Sequence, residues 1–105
     1  MFFQNKNILV KEGTSHLVVE RFSGEGVIEQ QPGFIDMSVL VKKQRRGDEE
    51  VIVVIRWVSE QDWKNWEKSD IHLEGHRQSR GKPKPEHIIE MSQNLYEVKV
   101  FKTAR

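Results

Sequence analysis

The segment His72-Leu73-Glu74-Gly75-His76 carries the clearest potential for chemistry, because two imidazoles four positions apart share one face of a helix. Zinc is the first chemistry such a pair suggests. In the helical metalloprotease pattern, however, glutamate directly follows the first histidine so that it faces a metal-bound water. Here that position is Leu73, and Glu74 lies about 200° round the helix from His72. No third ligand stands at a recognisable zinc spacing. A single imidazole on a haem iron asks for less: one nitrogen, an apolar slot, and cations for the propionates. Arg77, Arg80, Lys82 and Lys84 follow His76 closely, as partners for carboxylates or phosphates or as a solvated basic loop. Trp63 and Trp66 stand at helical spacing just upstream, where they either pack as a core pair or put Trp66 into a cleft with His76. His16 falls on the solvent side of a helix, and His87 follows a proline-rich loop without a partner.

Composition narrows the field further. The 105 residues contain no cysteine, which removes disulfides, thiolate nucleophiles, Fe–S clusters and cysteine-based zinc sites. Lys and Arg number 17 against 16 Asp and Glu, so no net field draws the chain to nucleic acid or to anionic lipid. No apolar run is long enough to span a bilayer, and Met1-Phe2-Phe3-Gln4-Asn5 lacks the pattern of a secretory signal, so a cytoplasmic protein is expected. There is no Ser-His-Asp order, phosphate loop or dinucleotide fingerprint. Hydrophobic residues make up 36%, lean for a self-sufficient monomer and compatible with a core shared between subunits.

The elements that must position these residues follow from periodicity. A strand is expected over Phe2 to Lys11, then a helix from Thr14 or Ser15 with Leu17, Val18 and Phe22 inward, ended by Gly24 and Gly26. Val27 to Gln31 forms a short turn before the Pro32-Gly33 stop. Phe34 to Lys43 alternates Ile35, Met37, Val39 and Val41 with polar residues, as a half-buried strand does. Gln44 to Asp48 is a hairpin tip, and the return strand Val51 to Trp57 is apolar on both faces. Ser59-Glu60-Gln61-Asp62 starts a helix that Ser69-Asp70 interrupts, with Asp70 capping a further turn through His76. That break lets Trp66 and His76, ten residues apart, converge on one cleft between helix and sheet. Arg77 to Glu86 reads as a basic loop and His87 to Lys102 as a last strand. The order strand-helix-strand-strand-helix-strand is that of an α+β, ferredoxin-like split βαβ domain, an antiparallel sheet with its helices on one face, here one domain spanning residues 1–105.

Several segments carry a family resemblance. Val10-Lys11-Glu12-Gly13, Glu20-Arg21-Phe22, Gln31-Pro32-Gly33-Phe34 and the stretch from Trp57 through Trp66 and Asp70 to His76 resemble the antibiotic-biosynthesis-monooxygenase-like (ABM) domain. Within it, the Trp-to-His spacing is similar to the IsdG-type haem-degrading monooxygenases. The resemblance implies His76 as axial ligand to the haem iron, Trp66 pressing on and ruffling the macrocycle, and Arg77, Arg80 and Lys82 as haem-binding cations. It also implies an asparagine on the first strand. Counting back from Gly13 without gaps puts Lys6 there; a bulge would bring Asn7 inward instead, and Asn7 is the expected residue.

What the resemblance implies about function is the opening of haem, as both substrate and cofactor, with O2 and an external electron donor and release of iron. A homodimer with a β-barrel at the subunit interface and an unidentified reductase partner belong to the same expectation; nucleic acid and membrane do not. Non-catalytic haem buffering and cofactor-independent oxygenation of a small phenol or quinol are the alternatives.

Overall fold

A computed structural model of the chain describes residues 1–79 and 81–105. The elements are β1 (Phe2–Val10), α1 (Ser15–Ser23), a single 3-10 turn (Ile28–Gln30), β2 (Phe34–Val41), β3 (Glu49–Trp57), α2 (Glu60–Lys68), α3 (Asp70–Ser79) and β4 (Ile88–Glu97). The four strands form one antiparallel sheet in the order β2-β3-β1-β4, which is the split βαβ arrangement expected from the sequence.

Alternation along the strands divides the sheet into two unlike faces. Phe2, Ile8 and Val10 of β1 and Val51, Val53, Ile55 and Trp57 of β3 point to the helices and are buried with Val18 of α1. Gln4, in the same row, is also buried, and its Oε1 accepts a bond of 3.3 Å from the Trp57 indole while its Nε2 donates to Gln93 at 3.1 Å. The opposite row, with Phe3, Ile52 and Val54, stays half-buried, and Leu40 and Tyr96 on that side are 51% and 48% exposed. On this face Arg56 grips Asp36 of the neighbouring strand with two hydrogen bonds, which hold the Asp36 carboxyl below its usual range.

The helices are started by side-chain oxygens, though not always the expected ones. Thr14 makes no capping bond; instead Glu49 of β3 accepts from the Ser15 N–H at 3.0 Å and so seats α1 on the sheet. Ser59 caps α2 through the Asp62 N–H at 3.2 Å. Ser69, rather than Asp70, caps α3: its backbone is extended (φ −65°, ψ 147°) and its Oγ accepts from the His72 N–H at 3.2 Å. Gly33, at φ +83°, lies so close to Asp62 that any Cβ would overlap that carboxylate, which fixes the start of α2 against the entry to β2.

The main departures from the expectation are two element ends and one register shift. The α3 helix continues through Arg77 to Ser79, because Gly75 is tolerated inside it and the first proline comes only at Pro83. β4 stops at Glu97 instead of Lys102. A register shift between Phe34 and Asp36 turns Ile35 out of the inward row, leaving it 38% exposed.

Candidate functional site

Between the helix-covered face of the sheet and the three helices lies a cleft in two adjoining parts. The inner part, about 320 Å³, runs over β1, β2 and β3 under the end of α1; Lys6, Phe22, Met37 and Ile55 contribute to its walls. The outer part, about 330 Å³, opens along α3 past Ile71, Gly75 and His76. Arg21, Val27, Trp66 and His72 border both parts and make them continuous. A larger recess of about 550 Å³ lies on the other side of α3, but the described residues lining it all belong to that one helix. A ligand enclosed by the protein needs walls from more than one element, which makes the two-part cleft the candidate site.

The two tryptophans have separate tasks. Trp63 packs in the core against Phe2, ring centroids 5.5 Å apart. Trp66 turns to the cleft and stacks obliquely on His72 at 4.8 Å. The extended backbone at Ser69 breaks the helical path, and α3 then carries His72 and His76 back over Trp66. The His72 and His76 rings lie 4.5 Å apart, with Nε2 to Nε2 at 2.9 Å, and Glu67 Oε2 lies 3.0 Å from the same Nε2 of His72.

That shared nitrogen sets the tautomers. Burial pushes the His72 imidazole below its ordinary value; Glu67 pulls it up, and His76 and Lys6 add to the fall. The Glu67–His72 contact is therefore a hydrogen bond to a neutral ring at neutral pH, despite its ion-pair distance. An ionised Glu67 only accepts, so the network assigns the proton to His72 Nε2 and leaves His76 Nε2 facing it with a lone pair. A lone pair on an imidazole is what an iron ligand requires.

Of the expected site residues, the structure brings together Trp66, His76 and Lys6. Asn7 is not among them: β1 pairs with β3 without interruption from Phe2 to Val10, and its irregularity against β4 falls at Leu9/Val10. Without a bulge before Lys6, Asn7 points through the opposite face, where it borders a shallow depression with Leu9, Glu50 and Ser92. Arg77 is exposed on the far side of α3 and pairs with Glu74 at 3.3 Å. Lys82 is exposed in the segment after α3, and Arg80 lies outside the described residues. Arg21 and Glu67 were not singled out by the sequence as site residues, and His72 stood there only as half of a zinc pair. Arg21 occupies the last turn of α1 just before Gly24, and Glu67 follows Trp66 directly, which were the signals open to a reader.

The cleft suits a flat, apolar molecule with acidic edges and a metal centre. It offers aromatic and aliphatic walls, an imidazole lone pair at its outer edge, and cationic Arg21 and Lys6 along its length. No cluster of three or more His, Asp or Glu side chains fit for a bare metal ion occurs among the described residues.

Residues 1–78 match the family described as antibiotic biosynthesis monooxygenase. The chain is 54% identical over 102 residues to the heme-degrading monooxygenase HmoA of Bacillus subtilis (strain 168), covering 97% of this chain and 94% of that one. A crystal structure of a candidate antibiotic biosynthesis monooxygenase from Bacillus cereus superposes with a TM-score of 0.87 at 60% identity, covering 99% of this chain and 96% of that one. The heme-degrader MhuD of Mycobacterium tuberculosis, solved with two hemes in its active site, shares the fold with a TM-score of 0.69 at 19% identity, covering 98% of this chain and all of that one.

Proposed function

This chain belongs to the antibiotic biosynthesis monooxygenase family, and on that premise we propose that it is a haem-degrading monooxygenase. The observation that carries the reading is the convergence of Trp66, His72 and His76 on one cleft with Arg21 and Lys6, in a chain 54% identical to a heme-degrading enzyme. Haem enters as the substrate and, while bound, supplies the redox centre at which O2 is reduced with electrons from an external donor.

The chain's own residues bind and orient it. His76, on α3, would hold the iron through Nε2. His72, kept neutral and fixed by Glu67, then holds the space beside the ligand imidazole. Trp66, on the cleft wall between its two parts, would bear on the ring and help position it for oxidation. Arg21 would face the propionates from α1, and the exposed cations Arg77 and Lys82 would add long-range attraction. The apolar walls exclude water from the ring.

The half-buried open face of the sheet, with Phe3, Ile52 and Val54, supports a homodimer in which two sheets close as a barrel. A reductase partner and a cytoplasmic location complete the proposal; no helix among the described residues is long and apolar enough to cross a membrane.

The test is an anaerobic haem titration followed by O2 and a reductant with catalase present. Formation of a one-to-one complex, then loss of its Soret band with release of iron, is the expected course. A stable Soret band under O2 and reductant would reduce the protein to a haem carrier. Absence of binding at micromolar haem would remove haem from its function.

A further inference from the structure

The loop that joins β2 to β3 carries Lys42, Lys43, Arg45 and Arg46, and all four are exposed. Without them the chain would be net negative, so this loop accounts for its positive excess. Among the described residues none gives any of the four side chains a hydrogen bond or an ion pair. The acids that follow are engaged elsewhere. Glu49 is turned to α1, where the backbone N–H groups of Ser15, Gly13 and Thr14 bond its carboxylate. Glu50 borders the depression on the open face of the sheet with Asn7 and Ser92. Asp48 is the one acid left in the loop.

The cations stand on a braced backbone. Gln44 Nε2 donates to the carbonyls of Asp48 at 2.7 Å, Arg46 at 3.1 Å and Gly47 at 3.3 Å. Gly47, at φ +92°, makes the tight turn, and the Lys42 N–H bonds the Glu50 carbonyl at 2.9 Å. Four like charges held together repel one another, and a polyanionic partner relieves that repulsion. The chemistry of the loop selects among such partners. It has no aromatic ring for a base to stack on and no apolar side chain to enter a bilayer. The rest of the chain, net negative, repels an extended phosphate surface. An acidic patch on a protein needs only a local match, within a Debye length of about 8 Å.

We propose that the loop of residues 42–48 docks an acidic protein, the electron donor that the haem reading requires. This rests on that reading and adds the surface at which the donor is met. Encounters between redox partners are held by small interfaces, below about 1,200 Å², and a patch of one sign speeds them about 10- to 1,000-fold. The loop is also within reach of the cleft. Glu49 at its foot holds the first residue of α1, and Arg21 in the last turn of that helix borders the cleft. Nine helical residues measure about 14 Å, against about 30 Å for the width of a small domain seated on the loop.

The test titrates the whole protein with a plant-type ferredoxin, a small acidic one-electron donor, by calorimetry at about 20 mM and about 150 mM salt. Combining Lys42→Gln, Lys43→Gln, Arg45→Gln and Arg46→Gln should weaken binding at low salt about tenfold or more and flatten its salt dependence. Exchanging the two lysines for arginine and the two arginines for lysine keeps the charge and should leave both within about threefold. With haem and O2 supplied, the glutamine variant should degrade haem more slowly on limiting reduced ferredoxin. On ascorbate, a donor too small to need a docking surface, it should keep the wild-type rate. Equal ferredoxin affinity in wild type and in the folded glutamine variant overturns the proposal, as does a wild type that leaves ferredoxin unbound at low salt. Duplex DNA or phosphatidylserine vesicles bound through these cations, with ferredoxin unbound, overturn it too and assign the loop to a phosphate surface. Ferredoxin bound through the loop of a protein that degrades haem with neither donor overturns the haem reading and leaves the acidic-protein surface standing.

Discussion

The Nε2 of His76 touches His72, so on the proposed reading an iron held there would replace an internal contact by a metal bond. Replacing His76 by Ala should lower haem affinity by roughly 100-fold, the upper end of what losing even a ligand's outer partner costs, and abolish the histidine-ligated Soret spectrum. An unchanged spectrum would move the ligand to another residue. Trp66→Phe should leave haem affinity within about threefold yet slow degradation about tenfold, because positioning errors of an ångström act on rate more than on binding. A variant that degrades haem at the wild-type rate would take Trp66 out of the reaction. Lys6 adds a prediction that needs no haem. Its folded pKa lies below the ordinary one, so between the two values the unfolded chain holds more protons and stability rises with pH. Lys6→Met should remove that rise and stabilise the ligand-free protein by about 1 kcal/mol at neutral pH, measured by urea unfolding across the alkaline range. A destabilised Lys6→Met would mean that the ammonium has a favourable partner in the ligand-free state.

At the scale of elements, much of the site was legible and some of it was not, for a reason of geometry. Trp66 and His76 stood out because both lie on one helical hairpin whose break was marked by Ser69-Asp70. Asn7 was misplaced by parity: on a strand the inward residue depends on whether a bulge lies between it and the reference, and β1 has none before Lys6. Arg21 and Lys6 reach the cleft from α1 and β1, far from Trp66 in sequence, and only the packed sheet brings them together. The capping of α1 was hidden in the same way, since its acceptor is Glu49 of another element. Gly33 shows how tightly these pieces are set. Gly33→Ala should cost roughly 1–3 kcal/mol, from a left-handed backbone and a Cβ driven into Asp62. It should also loosen α2, and with it Trp66, which tryptophan fluorescence would report. Wild-type stability in this variant would show that α2 can shift without cost.

The whole molecule has two faces with different prospects. The helix-covered face closes its own core, whereas the other carries half-buried Phe3, Ile52 and Val54 beside exposed Leu40 and Tyr96. The lean apolar content thus has its explanation in a sheet finished on one side only. In solution the protein should run at twice the 12.4 kDa protomer mass by light scattering, and Val54→Glu, in the middle of that face, should yield a folded monomer. A dimer that survives the glutamate would place the interface elsewhere, with β4 and the apolar Val100 and Phe101 beyond it as the next surface to alter.

Ser69 is a single extended residue between two helices, and that makes the junction a setting of rotational phase. Removing or adding one residue there would turn α3 by about 100° about its axis and carry both imidazoles off the cleft, while leaving every helix and strand intact. Exchange of Ser69 for another capping residue such as Thr or Asp would keep the phase. The hairpin is therefore tolerant of changes in identity and intolerant of changes in length, a stricter demand than its short, exposed helices would suggest.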